Sequence, residues 1–260
     1  MSEGSHPKVR GSLEKSIDII KVFRDTPHGL GVSEVARRSG IPKSTAHRIL
    51  AIMVQEELLE RTGNTYRLGP LPFELVSGSN LSSQARLAAE TLTPFLAALF
   101  EQSRKTVHLA YLSGTEVVYI NKLFSFSRFS LPSRIGGRAP AYCTGVGKIL
   151  LAYSDYWRSQ VLTQELAAWT PHTITNTDQL EKELIEAKLR GYACDNEEIQ
   201  SGLSCIAAPV FGHGPEPVAA FSVSTNTAEF RPDKVLPLLL KVCQSASRAM
   251  RDSENRLRHP

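Results

Sequence analysis

From Ser12 onward the apolar residues Leu13, Ile17, Ile20 and Phe23 recur three or four positions apart, which predicts a first helix beginning near Ser12. Ser12 is its expected cap, although Lys15 rather than an acid stands three residues on. Gly29-Leu30-Gly31 breaks the period. Ser33 is then expected to cap a short helix with Val35 and Ala36 on its apolar face, stopped by Ser39-Gly40. Pro42 suits the first turn of a third helix, whose inward stripe is Ala46, Ile49, Leu50 and Met53. Residues 58–61 and 65–68 read as two short strands joined by Thr62-Gly63-Asn64, a turn that accepts positive φ. Three helices followed by a hairpin is the order of a winged helix-turn-helix.

Pro70 and Pro72 punctuate the exit, residues 73–76 suggest a short helix, and the serine-rich stretch 77–83 suggests a boundary near residue 80. Beyond it, Ala85, Leu87, Leu92, Leu96 and Leu99 predict a helix bent or interrupted at Pro94. Strands are expected over 106–112, 116–122, 192–194, 204–210 and 217–225, with helices over 177–190 and 235–250. The fold class is therefore α+β, helices packed on an antiparallel sheet. The expected divisions are a mobile arm (1–11), a winged helix-turn-helix (12–69), a helical linker (70–82), a larger domain (83–254) and a tail (255–260).

Composition changes this picture little. A net charge of +4 favours a polyanionic partner only weakly. Cys143, Cys194, Cys205 and Cys243 form no CxxC pair and the first ten residues lack a signal-like apolar run, so a reduced, cytoplasmic setting is expected. The apolar stretch 235–240 is far short of the roughly 20 residues of a membrane span.

Two segments carry chemistry. On the third helix, Lys43, Ser44, Thr45, His47 and Arg48 suit a recognition helix, which reads base edges from its first turns while cations meet phosphate. Arg61 and Arg67 on the hairpin add charge to that surface. A plain helical hairpin with a solvated basic face is the alternative. In the second segment, Thr144 is a natural N-cap, so the backbone N–H groups of Gly145, Val146 and Gly147 are expected to point outward at the positive end of a helix, which favours a carboxylate or phosphate. The alternative is a capped helix whose glycines only permit close packing. Neither a P-loop nor a dinucleotide fingerprint fits around Gly145 and Gly147.

Asp195, Glu197 and Glu198 lie between two expected strands with no histidine near, which reads as a solvated turn rather than a metal site, and no cofactor is expected. The strands are expected to bring Asp195 and Cys205 to one face. The sequence has no GxSxG elbow and no HExxH helix, and His108, His172 and His213 are scattered.

With these segments placed, the chain resembles the IclR family of bacterial regulators over about residues 12–251. The resemblance is carried by residues 35–50, by 141–152 with the core Thr144-Gly-Val-Gly-Lys148, and by 190–198 continuing to 202–210. It implies a winged helix-turn-helix joined to an effector domain similar to the GAF fold, assembled as dimers or dimers of dimers. It also implies an effector pocket at Gly145, Val146, Asp195 and Cys205, capped by Thr144, with the strand carrying Ser222 as a further wall. Tyr142-Cys143 stands where many members have His-Ala or similar, which points to a larger or more aromatic ligand. The function so implied is a repressor or activator that binds double-stranded operator DNA under control of a small organic acid or related metabolite. The competing reading is a small-molecule-transforming enzyme with an accessory nucleic-acid-binding module.

Overall fold

The computed structural model describes residues 11–258 except 25, 27, 73, 74, 76–81, 125–130 and 132. They form two compact units, Met1–Asn80 and Leu81–Pro260. Of the expected arm 1–11, residues 1–10 lie outside the described residues and Gly11 caps the first helix. Of the expected linker, Pro70, Leu71, Pro72 and Leu75 are helical, Ser82 caps the helix that follows, and the rest lies outside them.

The first unit runs α1 (Ser12–Val22), β1 (Leu30–Gly31), α2 (Val32–Ser39), α3 (Lys43–Gln55), β2 (Leu59–Thr62) and β3 (Thr65–Leu68). The cap of α1 is Gly11 rather than Ser12, and the reciprocal acid is Glu14, whose carboxylate accepts the Gly11 N–H at 2.8 Å. Ser33 is likewise not a cap. Leu30 and Gly31 are extended and pair with Tyr66 and Thr65, so β1 joins the hairpin as a third strand and α2 starts directly after Gly31. Gly40, at φ 65°, ends α2 in the left-handed region. Val35, Ala36, Ala46, Ile49, Leu50 and Met53 are buried together with Leu59 and Tyr66. The core takes Ile19 of α1 and Phe23 just after it, whereas Leu13, Ile17 and Ile20 form an exposed apolar stripe.

The second unit is built on a six-stranded antiparallel sheet of order β6-β5-β4-β9-β8-β7. Its elements are α4 (Ser83–Ser103), β4 (Thr106–Ser113), β5 (Glu116–Leu123), β6 (Arg138–Pro140), α5 (Gly145–Tyr153), α6 (Asp155–Leu162), α7 (Thr177–Arg190), β7 (Ala193–Asn196), β8 (Leu203–Phe211), β9 (Pro217–Asn226) and α8 (Pro232–Arg258). The architecture is α+β, as expected. Strand alternation sends Leu109, Ile206, Ala208 and Phe221 to one face, where α4 and α8 supply Leu92, Leu96, Leu239 and Ala246. Ala110, Tyr119, Ala193 and Ala207 take the other face, against Val146 and Ile149 of α5 and Leu180 and Leu184 of α7. Each fully buried leucine contributes about 1.5–3 kcal/mol.

Pro94 does not interrupt α4, which continues through it. The preceding turn keeps side-chain support, because the Thr93 hydroxyl donates to Ala89 O at 2.6 Å and accepts from Asn121 Nδ2 at 3.1 Å. At the other end α8 extends past the expected residue 250 and through most of the expected tail.

Candidate functional site

In the first unit, burial of Ala46, Ile49 and Leu50 turns Lys43, Ser44, His47 and Arg48 of α3 to solvent, with Thr45 half-buried. On α2, Glu34 takes both neighbouring arginines, Arg37 Nη2 and Arg38 Nε each at 2.6 Å. Those hydrogen bonds hold its carboxyl down at about 2. Arg37 and Arg38 are thus partly offset, while Lys43 and Arg48 have no acidic partner among the described residues. On the hairpin, Arg67 pairs with its cross-strand neighbour Glu60. Arg61 donates to Gly63 O at 2.9 Å and lies over the Tyr66 ring at 5.7 Å, which holds its guanidinium at the turn.

In the second unit the predicted residues converge beneath the start of α5. Strand register makes Asp195 the partner of Cys205, Cys205 of Ser224, and Ser224 of Thr106. The next same-face row runs Ala193, Ala207, Ser222, His108, Lys122. Asp195, Cys205 and Ser222 therefore share one face of the sheet, and the glycines of α5 sit on it. A Cβ on Gly145 would stand 2.7 Å from Cys205 Sγ and 3.5 Å from the Ala207 Cβ. One on Gly147 would stand 2.2 Å from Ala141 O, so both glycines are there for close approach.

The α5 N-terminus is buried rather than outward-facing as expected from sequence. Thr144 Oγ1 accepts the Gly147 N–H at 3.1 Å, and Gly145 packs against the Cys205 sulfur. The Val146 N–H is left with no acceptor among the described residues. Lys148 is not available to an anion either. It is 1% exposed and its Nζ pairs with Glu198 Oε1 at 2.5 Å and Glu183 Oε1 at 3.6 Å.

That pairing also corrects the solvated-turn reading of residues 195–198, because Asp195 and Glu198 are both buried. Asp195 Oδ1 accepts the Glu198 N–H at 2.7 Å, and the Thr170 and Thr173 hydroxyls hold the carbonyls of Glu197 and Glu198 at 2.6 Å. Burial pushes the Asp195 carboxyl up to about 7, opposed by backbone N–H donors and reinforced by the Glu198 charge. Glu198 Oε2 is buried without a hydrogen-bond partner. Tyr142 turns out to serve a loop: its hydroxyl donates to Ala167 O at 2.7 Å and accepts from Trp169 Nε1 at 2.9 Å.

Sequence reasoning missed His108 and Tyr119. His108 is buried on the same sheet face as Asp195 and Cys205, with Nδ1 3.2 Å from Ser222 Oγ and Nε2 2.8 Å from Ser133 Oγ. Burial, with the Lys122 charge adding, pushes its pKa down to about 3, so the ring is neutral at physiological pH. The Tyr119 ring packs against it with centroids 5.2 Å apart. The alternation Thr106, His108, Ala110 against Val107, Leu109 already placed His108 on the less apolar face.

The fold and these two surfaces define a class: a winged-helix protein whose second domain buries a row of polar side chains under a glycine-containing helix start. Residues 12–63 match the IclR helix-turn-helix domain and residues 82–251 the bacterial transcriptional regulator IclR C-terminal domain. The chain belongs to the IclR family of bacterial transcriptional regulators. It is 30% identical to the transcriptional repressor IclR of Escherichia coli over 90% of this chain and 87% of that protein. It is 35% identical to the regulator KdgR of Dickeya chrysanthemi over 78% and 67%. Among solved structures, Thermotoga maritima IclR matches with TM-score 0.79 at 28% identity over 92% of this chain and 98% of that one. An IclR homolog from Microbacterium hydrocarbonoxydans complexed with 4-hydroxybenzoate matches with TM-score 0.77 at 25% identity over 93% and 100%. The chain is accordingly a DNA-binding transcriptional regulator with an effector-binding domain. Among its described residues no helix is long and apolar enough to cross a membrane.

Proposed function

We propose that this regulator binds double-stranded operator DNA in the cytoplasm as a homodimer or dimer of dimers, and that a small organic acid seated under α5 alters its operator affinity. The observation that carries the reading is the buried start of α5, where Gly145 stands on Cys205 and Ala207 and the Val146 N–H has no acceptor among the described residues. The 4-hydroxybenzoate complex of the Microbacterium relative supports an acid as ligand. Thr144 and Gly145 position that donor, Cys205 and Ser222 form the wall, and Asp195 holds the loop and disfavours a second anion.

On the DNA side, Lys43, Ser44, Thr45, His47 and Arg48 meet the major groove, while Arg61 and Arg67 meet backbone phosphate. The exposed stripe of Leu13, Ile17 and Ile20, together with the linker 70–82, is our candidate for the contact between copies. Catalysis is not part of this reading, since burial pushes the Cys143 and Cys205 thiols up, away from the reactive thiolate.

The test is calorimetric titration of the full chain with small carboxylic acids, each beside its neutral amide, followed by sedimentation with and without operator DNA. An acid that binds at least tenfold tighter than its amide, to an assembly of two or four copies, is expected. Amides binding as well as acids would overturn the anion reading, and a monomer with full operator affinity would overturn the assembly.

A further inference from the structure

We infer that His108 is a specificity residue of the effector site, reading a hydroxyl carried at the end of the acid remote from its carboxylate. The inference rests on the organic-acid reading above. The length follows from register. Gly145 packs on Cys205 and, beside it, on Ala207, whose row continues through Ser222 on β9 to His108 on β4. With about 4.8 Å between neighbouring strands, His108 stands about 10 Å along the face from Ala207. Hydrogen bonds cover about 3 Å at each end, so the acid itself spans the remaining several ångströms.

The chemistry follows from the partners of the ring. Both nitrogens meet hydroxyls, Ser222 Oγ at 3.2 Å and Ser133 Oγ at 2.8 Å, and Ser224 Oγ stands 3.5 Å from Nδ1. A neutral imidazole donates from one nitrogen and accepts at the other, which suits a hydroxyl and offers no charge to a second carboxylate. Lys122, the one cation in that row, directs its Nζ to Ser133 O at 2.6 Å. An effector hydroxyl therefore competes with Ser133 for Nε2, while the tilted Tyr119 ring beside His108 favours a flat or unbranched body.

The experiment compares two matched pairs by calorimetry on the full chain, 4-hydroxybenzoate with benzoate and 6-hydroxyhexanoate with hexanoate. Wild type is expected to prefer the hydroxylated member of at least one pair by 5-fold or more. His108→Leu should reduce that preference below 2-fold and leave the unsubstituted acid's Kd within about 3-fold, whereas His108→Gln, which keeps a polar atom near Nε2, should retain part of it. Equal binding within both pairs by wild type, or an undiminished preference in His108→Leu, overturns the assignment of His108 while leaving the organic-acid reading standing. No heat from any of the four acids is a failure of the organic-acid reading itself, and His108 falls with it.

Discussion

Replacing Lys148 by methionine keeps most of the side-chain volume and removes the cation. In the folded chain Lys148 is 1% exposed and Glu198 4%, with 2.5 Å between their charged atoms. Glu198 Oε2 is already without a partner, so the substitution leaves a buried carboxylate with no cation on either oxygen. Glu183 is less affected, because Arg190 holds it at 2.7 Å. Removing one member of a buried pair costs about 3–5 kcal/mol, well above the ~0–1 kcal/mol of a surface pair. The assay is urea unfolding followed by tryptophan fluorescence. Trp157 and Trp169, the chain's two tryptophans, both lie in the second unit and report only on it. Lys148→Met should lose about 3–5 kcal/mol at neutral pH, and adding Glu198→Gln should recover at least half. A loss under about 1 kcal/mol, or a double variant no better than the single one, would refute the view that this pair anchors the effector face.

Other outcomes are equally open to measurement. Asp195 keeps its proton up to about 7 in the folded chain against an ordinary 3.8, so the folded state binds more protons between those values. Its contribution to stability is therefore full below about 4 and is lost as pH rises through 7. Wild type should lose about 2–3 kcal/mol relative to Asp195→Asn between pH 5 and pH 8, at 1.36 kcal/mol per unit, and a pH-independent difference in urea midpoints would contradict this. Gly147→Ala places a Cβ 2.2 Å from Ala141 O and should cost about 3 kcal/mol or more, whereas Gly214→Ala, which meets nothing within 4 Å, should melt within a degree or two of the parent. Arg48→Ala and Lys43→Ala should each weaken operator binding and, for a phosphate contact, lower the slope of log K against log salt by about one unit, read by anisotropy at several salt concentrations.

What the sequence showed and what it hid divide along one physical line. Periodicity placed the stripe of α3 correctly because Ala46, Ile49, Leu50 and Met53 pack within a contiguous helix-turn-helix. The same signal in α1 marked a helix but not its inward face, since Leu13, Ile17 and Ile20 stay exposed and the core takes Ile19. The cap at Thr144 was legible from five residues. The burial of that helix start was not, because it depends on Cys205 and Ala207 on another element. Asp195 and Glu198 read as a solvated turn because their cation, Lys148, is 50 positions from Glu198. His108 meets Ser222 across 114 positions of chain, a pairing that only strand register reveals. The strand β6 is only three residues long, and α6 buries only Val161, so neither carries an apolar period to read.

The central claim is that one molecule couples an acid-binding face to a DNA-reading helix. Its most direct test is fluorescence anisotropy of the full chain on labelled DNA from upstream of its own gene, repeated as a binding acid is titrated. The account predicts specific binding in competitor DNA, a midpoint shifted at least 5-fold by saturating acid, and loss of specific binding when Lys43 and Arg48 are both replaced by alanine. An operator midpoint that stays fixed while calorimetry shows the acid site filled would contradict it.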